Sequence, residues 1–358
     1  LWVADMDFAT APFVTDAIRK RCENEVLGYT GKPDSYYNAI INWVKQRYDL
    51  IVTKEVINFV PGIVPGIGMA MNCFTQKGDK VMIQPPVYHP FAWVTTRNER
   101  TLVINPLRWE NGMYRMDLDA FREQIKGCKL FILCNPHNPG GVVWTEAELR
   151  AIADICYDEK VLVFSDEIHA DLTLPPHTHR PFATVSEKAR MNSVTFMSPS
   201  KAFNMPGLSA SHALIFNEDL RKRFRIYMDA GELDMGHVFA FLSVEAAYSH
   251  GTEWLDQCLA YIQGNIDFVD EFLKKHAPKI KAIRPEASYL VWLDCRELKL
   301  SQKDLNEFFV DKAHLALNDG EMFGKEGIGF MRLNVASPRC IIEKAMKQLA
   351  DAYQLYIK

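Results

Sequence analysis

Between Asn58 and Phe216 the chain alternates short apolar runs with longer amphipathic stretches, and this alternation narrows the possible folds more than any other feature. The runs are Asn58–Val60, Lys80–Gln84, Thr101–Asn105, Lys129–Cys134, Val161–Ser165, Ser193–Met197 and His212–Phe216. Each is short, bounded by turn formers, and reads as a buried strand. Most are separated by stretches of helical period, such as Thr145–Asp158, where a threonine in N-cap position precedes an acidic first turn. Strands separated by helices need crossover connections. The expected class is therefore α/β, a large domain built on a mainly parallel sheet with helices on both faces. Ligands of such sheets bind beyond the carboxyl ends of the strands.

After Phe216 the texture changes. Helical patterns run from Glu218 to His276, one of them continuous from Thr252 to Lys275. Strand-like runs follow at Tyr289–Asp294, Leu315–Leu317 and Gly329–Val335, then a closing helix from Cys340 to Tyr353. With 358 residues the chain exceeds one ordinary core, so a second, smaller α/β domain joined by a long helix is expected. The net charge of −4 and scattered basic residues argue against a nucleic-acid partner or an anionic membrane surface. No apolar run approaches the ~20 residues of a membrane span. The cysteines, at 22, 73, 128, 134, 156, 258, 295 and 340, include no Cys-x-x-Cys pair and read as small core residues of a cytoplasmic protein. The chain opens at Leu1-Trp2-Val3 with no signal peptide, and its natural N-terminus is expected upstream.

Four features fall at the carboxyl ends of expected strands. Asn135-Pro136-His137-Asn138-Pro139-Gly140-Gly141 forces a turn and leaves asparagine amides at the sheet edge. Ser165-Asp166-Glu167-Ile168-His169-Ala170-Asp171 puts a carboxylate at the end of the next strand. A metal site is the competing chemistry for that acidic segment. It is disfavoured because adjacent residues 166 and 167 point to opposite faces of an extended chain and no second cluster completes a coordination sphere. His177 and His179 read as loop residues. Ser198-Pro199-Ser200-Lys201 places a lysine just beyond a buried strand, where desolvation lowers its pKa and frees a nucleophilic amine. A lysine on a surface loop is the plain alternative for that segment alone. Finally, Pro61-Gly62-Ile63-Val64-Pro65-Gly66 opens the expected helix Gly66–Phe74, exposing backbone N–H groups to an anion.

Together these features describe a pyridoxal phosphate site, with an amine for a Schiff base, a carboxylate for the pyridine nitrogen and a helix N-terminus for the phosphate. The chain resembles the fold-type I class I/II aminotransferases. Within them it is similar to the MalY/PatB group of cystathionine β-lyase-like C–S lyases, on Trp2–Phe8, Gly28-Tyr29-Thr30, Asn135–Gly141, Ser165–Leu172, Ser198–Gly207 and Phe330–Asn334. The resemblance spans nearly the whole chain. It implies an N-terminal segment of residues 1–28 packed with the small domain, a cofactor-binding domain of residues 29–259 and a small domain of residues 260–358.

By the same resemblance, Lys201 bonds the cofactor and moves the proton at the substrate Cα. Asp166 faces the pyridine nitrogen, Tyr88 stacks on the ring, and Asn138 and His169 address its phenolic oxygen. Ile63 and Val64 N–H groups and the Ser198 and Ser200 hydroxyls hold the phosphate. Tyr29 reaches the neighbouring subunit's phosphate, which implies a homodimer with a shared site. Arg332 grips the substrate α-carboxylate, with Asn138 nearby, and no residue is assigned to a metal. Tyr289, Ser288 and the Phe323-Gly324 loop are the expected cleft lining. Many relatives carry an arginine eight positions after the lysine, where this chain has Ser209, and its absence favours the lyase group. The implied activity is β-elimination from L-cystathionine or L-cysteine S-conjugates, giving thiol, pyruvate and ammonia. The rival is an aminotransferase acting on an amino acid and a 2-oxo acid. Some members of the group also bind a transcription activator, a regulatory role for which no residue here speaks.

Overall fold

A computed structural model describes residues 1–356. The strands are β1 (Ile57–Val60), β2 (Lys80–Ile83), β3 (Thr101–Ile104), β4 (Arg108–Glu110), β5 (Met113–Arg115), β6 (Cys128–Cys134), β7 (Leu162–Asp166), β8 (Ser193–Met197), β9 (Ser211–Leu214), β10 (Lys281–Ile283), β11 (Leu290–Asp294), β12 (Asn318–Asp319) and β13 (Phe330–Asn334). The seven apolar runs of the first segment all enter one sheet, in the order β1-β9-β8-β7-β6-β2-β3. The neighbours β8-β7-β6-β2-β3 are parallel, and β9 runs antiparallel to both β8 and β1. The exception has a cause. Every parallel step needs a crossover helix, whereas the β8-to-β9 connection holds only a single 3₁₀ turn at Pro206–Leu208 and returns beside its own strand. That connection carries Lys201.

The central strands are buried on both faces, as sheets covered by helices on each side require. The helix Glu146–Asp158 begins with a full capping box between Thr145 and Glu148. The helix expected from Gly66 starts three residues earlier and runs Ile63–Phe74, with Pro65 tolerated in the first turn. Gly66 lies against β1 and β8. A Cβ there would stand 2.9 Å from Val60 Cγ2 and 3.2 Å from Phe196 Cε1, so only glycine lets this helix approach the sheet edge so closely.

The second part is an antiparallel sheet in the order β10-β11-β13-β12, packed under the helices Thr252–His276 and Arg339–Tyr356. The long helix buries Leu255, Leu259, Ile262, Ile266, Val269 and Leu273, alternating steps of four and three that make one apolar stripe. The strand expected at Leu315–Leu317 is displaced. Leu315 packs into the core from a loop, while Asn318 and Asp319 pair with Arg332 and Met331 of β13. Among the described residues no helix is long and apolar enough to cross a membrane.

Residues 1–8 lie as a strap across the junction of the two parts. Asn204 receives Met6 N–H on its Oδ1 and donates to the carbonyls of Met6 and Phe8, and Asn334 donates to those of Val3 and Asp5. Two asparagines far apart in sequence thereby fix the backbone of a segment that has no regular structure.

Candidate active site

The carboxyl ends of β6, β7 and β8, the N-terminus of the helix Ile63–Phe74 and the strap enclose a cavity of about 230 Å³. Ala4, Gly62, Ile63, Val64, Tyr88, Asn138, Asp166, His169, Ser200, Lys201 and Ser209 all line it. Parallel strands ending side by side bring together positions that are remote in sequence. Cys134 and Asp166 are direct partners across β6 and β7, and Phe196 of β8 is the next partner of Asp166.

Asp166 is 3% exposed, and its Oδ1 accepts the Ile168 N–H at 3.1 Å. Burial pushes its carboxyl up to about 7, with the neighbouring Glu167 charge adding to the rise and Lys201 opposing it. Across the cavity the Lys201 amine is lowered from its ordinary value, first by burial and then by Arg332, with Asp5 and Asp166 opposing. Its Nζ donates to the Ala4 carbonyl, which also accepts the Tyr289 hydroxyl at 3.0 Å. His169 is driven down to about 3 by burial and by the cations Lys201 and Arg332, so its ring is neutral at physiological pH. Its Nδ1 is buried with no protein partner.

Arg332 comes from the second sheet. Nη1 donates to Asn138 Oδ1 at 3.0 Å and Nη2 to Asn318 Oδ1 at 2.6 Å, while Nε is buried and unpartnered. The guanidinium lies 4.8 Å from the Phe323 ring centroid, and burial lowers its pKa to about 10. Two neutral amides orient the fork without neutralising it, so its charge remains available to an anion. The backbone N–H groups of Ile63 and Val64 belong to a helix first turn and have no intrahelical acceptor. Tyr88, partly buried, stands edge-on to Phe91 at 5.7 Å.

Three residues expected to bind cofactor or substrate, Ser198, Tyr29 and Arg332, do not line the cavity, and neither do Ser288, Tyr289 or the Phe323-Gly324 loop expected in its lining; Arg332 reaches it only through Asn138. The Ser198 hydroxyl donates to Ala210 O at 2.7 Å and accepts the Ser200 N–H at 3.1 Å, bracing the turn that carries Lys201. Tyr29 is 98% exposed, on a stretch without regular structure whose Val26 and Leu27 are also exposed. Three participants went unforeseen or without a role: Asn318, the Ala4 carbonyl and Ser209. A main-chain carbonyl leaves no signature in a sequence, and Asn318 becomes relevant only through pairing with Arg332.

The large, mainly parallel sheet, the smaller antiparallel one and a lysine–aspartate cavity at the carboxyl edge of the large sheet are features of one known class. The chain belongs to the family described as aminotransferase class I and II, whose match covers residues 2–349. Among curated proteins it is 38% identical over 354 residues to cystathionine beta-lyase PatB of Bacillus subtilis, covering 98% of this chain and 92% of that protein. It is 30% identical over 354 residues to protein MalY of Escherichia coli, covering 98% and 90%. Among solved structures, cystalysin from Treponema denticola, which contains a pyridoxal 5'-phosphate cofactor, matches with a TM-score of 0.97 at 35% identity, covering 100% of this chain and 91% of that one.

Proposed function

We propose that this protein is a pyridoxal-phosphate-dependent C–S β-lyase that cleaves L-cystathionine or related L-cysteine S-conjugates to a thiol, pyruvate and ammonia. The observation that carries the reading is the polarity of the cavity. Unpaired helix N–H groups stand at one side, a buried carboxyl at another and a desolvated amine at a third, while the Arg332 guanidinium stands behind the lining Asn138, to which it donates. This donor set fits pyridoxal phosphate. Asp166 would take the ring nitrogen, Asn138 and His169 the ring oxygen, and Tyr88 the ring face. Ile63, Val64 and Ser200 would take the phosphate, with Ser198 shaping their turn. Bound there, the cofactor supplies an electron sink for negative charge developing at the substrate Cα.

The chain's own groups do the remainder. Arg332 fixes the substrate carboxylate and so orients the Cα–H bond toward Lys201. Burial lowers the Lys201 amine from its ordinary value, which favours the unprotonated form that can take that proton. His169, neutral, can donate one hydrogen bond without adding a cation beside Arg332. The 38% identity to a cystathionine beta-lyase and the Ser209 substitution favour elimination over amino-group transfer. We further read the assembly as a homodimer in which exposed Tyr29 reaches the partner's phosphate site. Residues 29–259 are taken as the cofactor domain and 260–358 as the small domain. The eight free cysteines, most of them buried, support a cytoplasmic location. The test is to load the purified protein with pyridoxal phosphate and add L-cystathionine. A visible absorption band that changes on substrate addition, with thiol release, supports the reading; a protein that stays colourless refutes it.

A further inference from the structure

Next to Asp166 lies a buried charged group that the proposed chemistry leaves unused. Glu167 is 1% exposed and does not line the cavity. Its Oε1 accepts from Ser165 Oγ and from the Phe182 N–H, both at 2.8 Å, and its Oε2 accepts from His179 Nε2 at 2.7 Å. His179 comes from Pro175-Pro176-His177-Thr178-His179-Arg180-Pro181, where the sequence suggested a plain loop. The structure instead packs its side chain at 1% exposure, edge-on to Tyr48. Tyr48 and Trp43 both donate to Asp171, so the group continues toward the helix Asp34–Tyr48.

A carboxylate out of water is costly, and the three donors only offset that cost. An apolar side chain of similar volume would serve packing as well or better. The acid therefore needs a reason beyond stability. The Nδ1 of His179 is buried with no protein partner, so the ring's one polar anchor is its Nε2 contact, which fixes the Glu167 carboxylate in place.

We infer that Glu167 is a positioning residue for the active site. Held by Ser165, Phe182 and His179, its carboxylate places a second negative charge beside Asp166 and reinforces that residue's hold on a proton at the facing ring nitrogen. The inference rests on the cofactor reading above. The two carboxylates sit on consecutive residues and both are buried, so although their side chains diverge, little solvent screens one charge from the other. The rise that Glu167 causes in Asp166 reports the same coupling from the other side. With a cationic ring opposite, the second charge favours proton retention at the ring. Without one, it favours uptake of the proton by Asp166.

The test uses holoenzyme loaded with pyridoxal phosphate labelled with ¹⁵N in the ring, comparing wild type with Glu167→Gln and Glu167→Asp. The glutamine variant is expected to move the ring resonance toward the neutral-pyridine position and to weaken cofactor binding roughly tenfold, the order of a coupling between neighbouring buried charges. The aspartate variant, which keeps the charge, is expected to retain the wild-type resonance. Should the glutamine variant fail to fold, Glu167→Gln with His179→Phe removes the same charge without opposing the amide to an imidazole N–H, and carries the same expectation. An unchanged resonance on loss of the charge, or identical behaviour of the glutamine and aspartate variants, overturns the inference and leaves Glu167 a structural residue. A wild type with no bound cofactor signal instead overturns the functional reading, and this inference with it.

Discussion

At the scale of residues, the site depends on charged groups whose surroundings change their chemistry. Arg332 is the clearest case, because Asn138 and Asn318 grip both terminal nitrogens and set the plane of the fork. A lysine keeps the charge but cannot present two parallel donors. Arg332→Lys is expected to raise KM for the amino-acid substrate about tenfold or more, with little change in global stability, as steady-state kinetics and thermal melts will show. Much of the constellation was legible in the chain. Lys201, Asp166, Asn138 and His169 each follow an apolar run that ends in turn formers, and all four line one cavity. Other residues were not legible. Asn318 was missed because its role depends on register with β13. His179 does lie in a loop, as its proline-flanked setting suggests, but nothing in that setting shows its side chain turned inward onto Glu167.

At the scale of elements, the N-terminus of the helix Ile63–Phe74 faces the cavity because Gly66 lets the helix touch Val60 and Phe196. Adding one methyl forces the helix away from the sheet. Gly66→Ala is expected to cost about 1–3 kcal/mol, seen as a lower urea midpoint with unchanged slope. It is also expected to weaken cofactor binding, since the same displacement moves the Ile63 and Val64 N–H groups. The strands of the large sheet were readable because each is a short, mostly apolar run, buried on both faces in the central β6, β7 and β8, though the edge strand β3 is half exposed. Their order, and the reversal of β9, were not. The hairpin of β4 and β5 and the short strand β10 lack buried runs, so they carry no comparable pattern. β12 was displaced by three residues because apolar Leu315 mimics a strand while packing from a loop.

At the scale of the whole molecule, buried ionisable groups tie stability to pH. Burial holds His89 and His137 down to about 4, and His169 and His212 down to about 3. The unfolded chain binds protons at these histidines near pH 6.5 while the folded one does not. Their contribution is complete above that value and is lost as pH falls toward the folded values. Asp166 acts in the opposite sense. Raised to about 7 from 3.8, it stabilises below its unfolded value, and that contribution is lost as pH rises through about 7. Asp171, also raised by burial, acts in the same sense as Asp166, and the four histidines outweigh these two carboxyls. The melting temperature of the cofactor-free protein is expected to fall between about pH 7 and about pH 5, and His212→Phe, at a site with both ring nitrogens unpartnered, is expected to flatten that fall.

The most direct test of the central claim is product counting with L-cystathionine, bound pyridoxal phosphate and no added 2-oxo acid. Many equivalents of pyruvate and thiol per protein chain are predicted for the wild type, with turnover lower by roughly 10²–10⁴-fold in Lys201→Ala. A wild type that releases no pyruvate, yet transfers an amino group once a 2-oxo acid is supplied, would contradict the account.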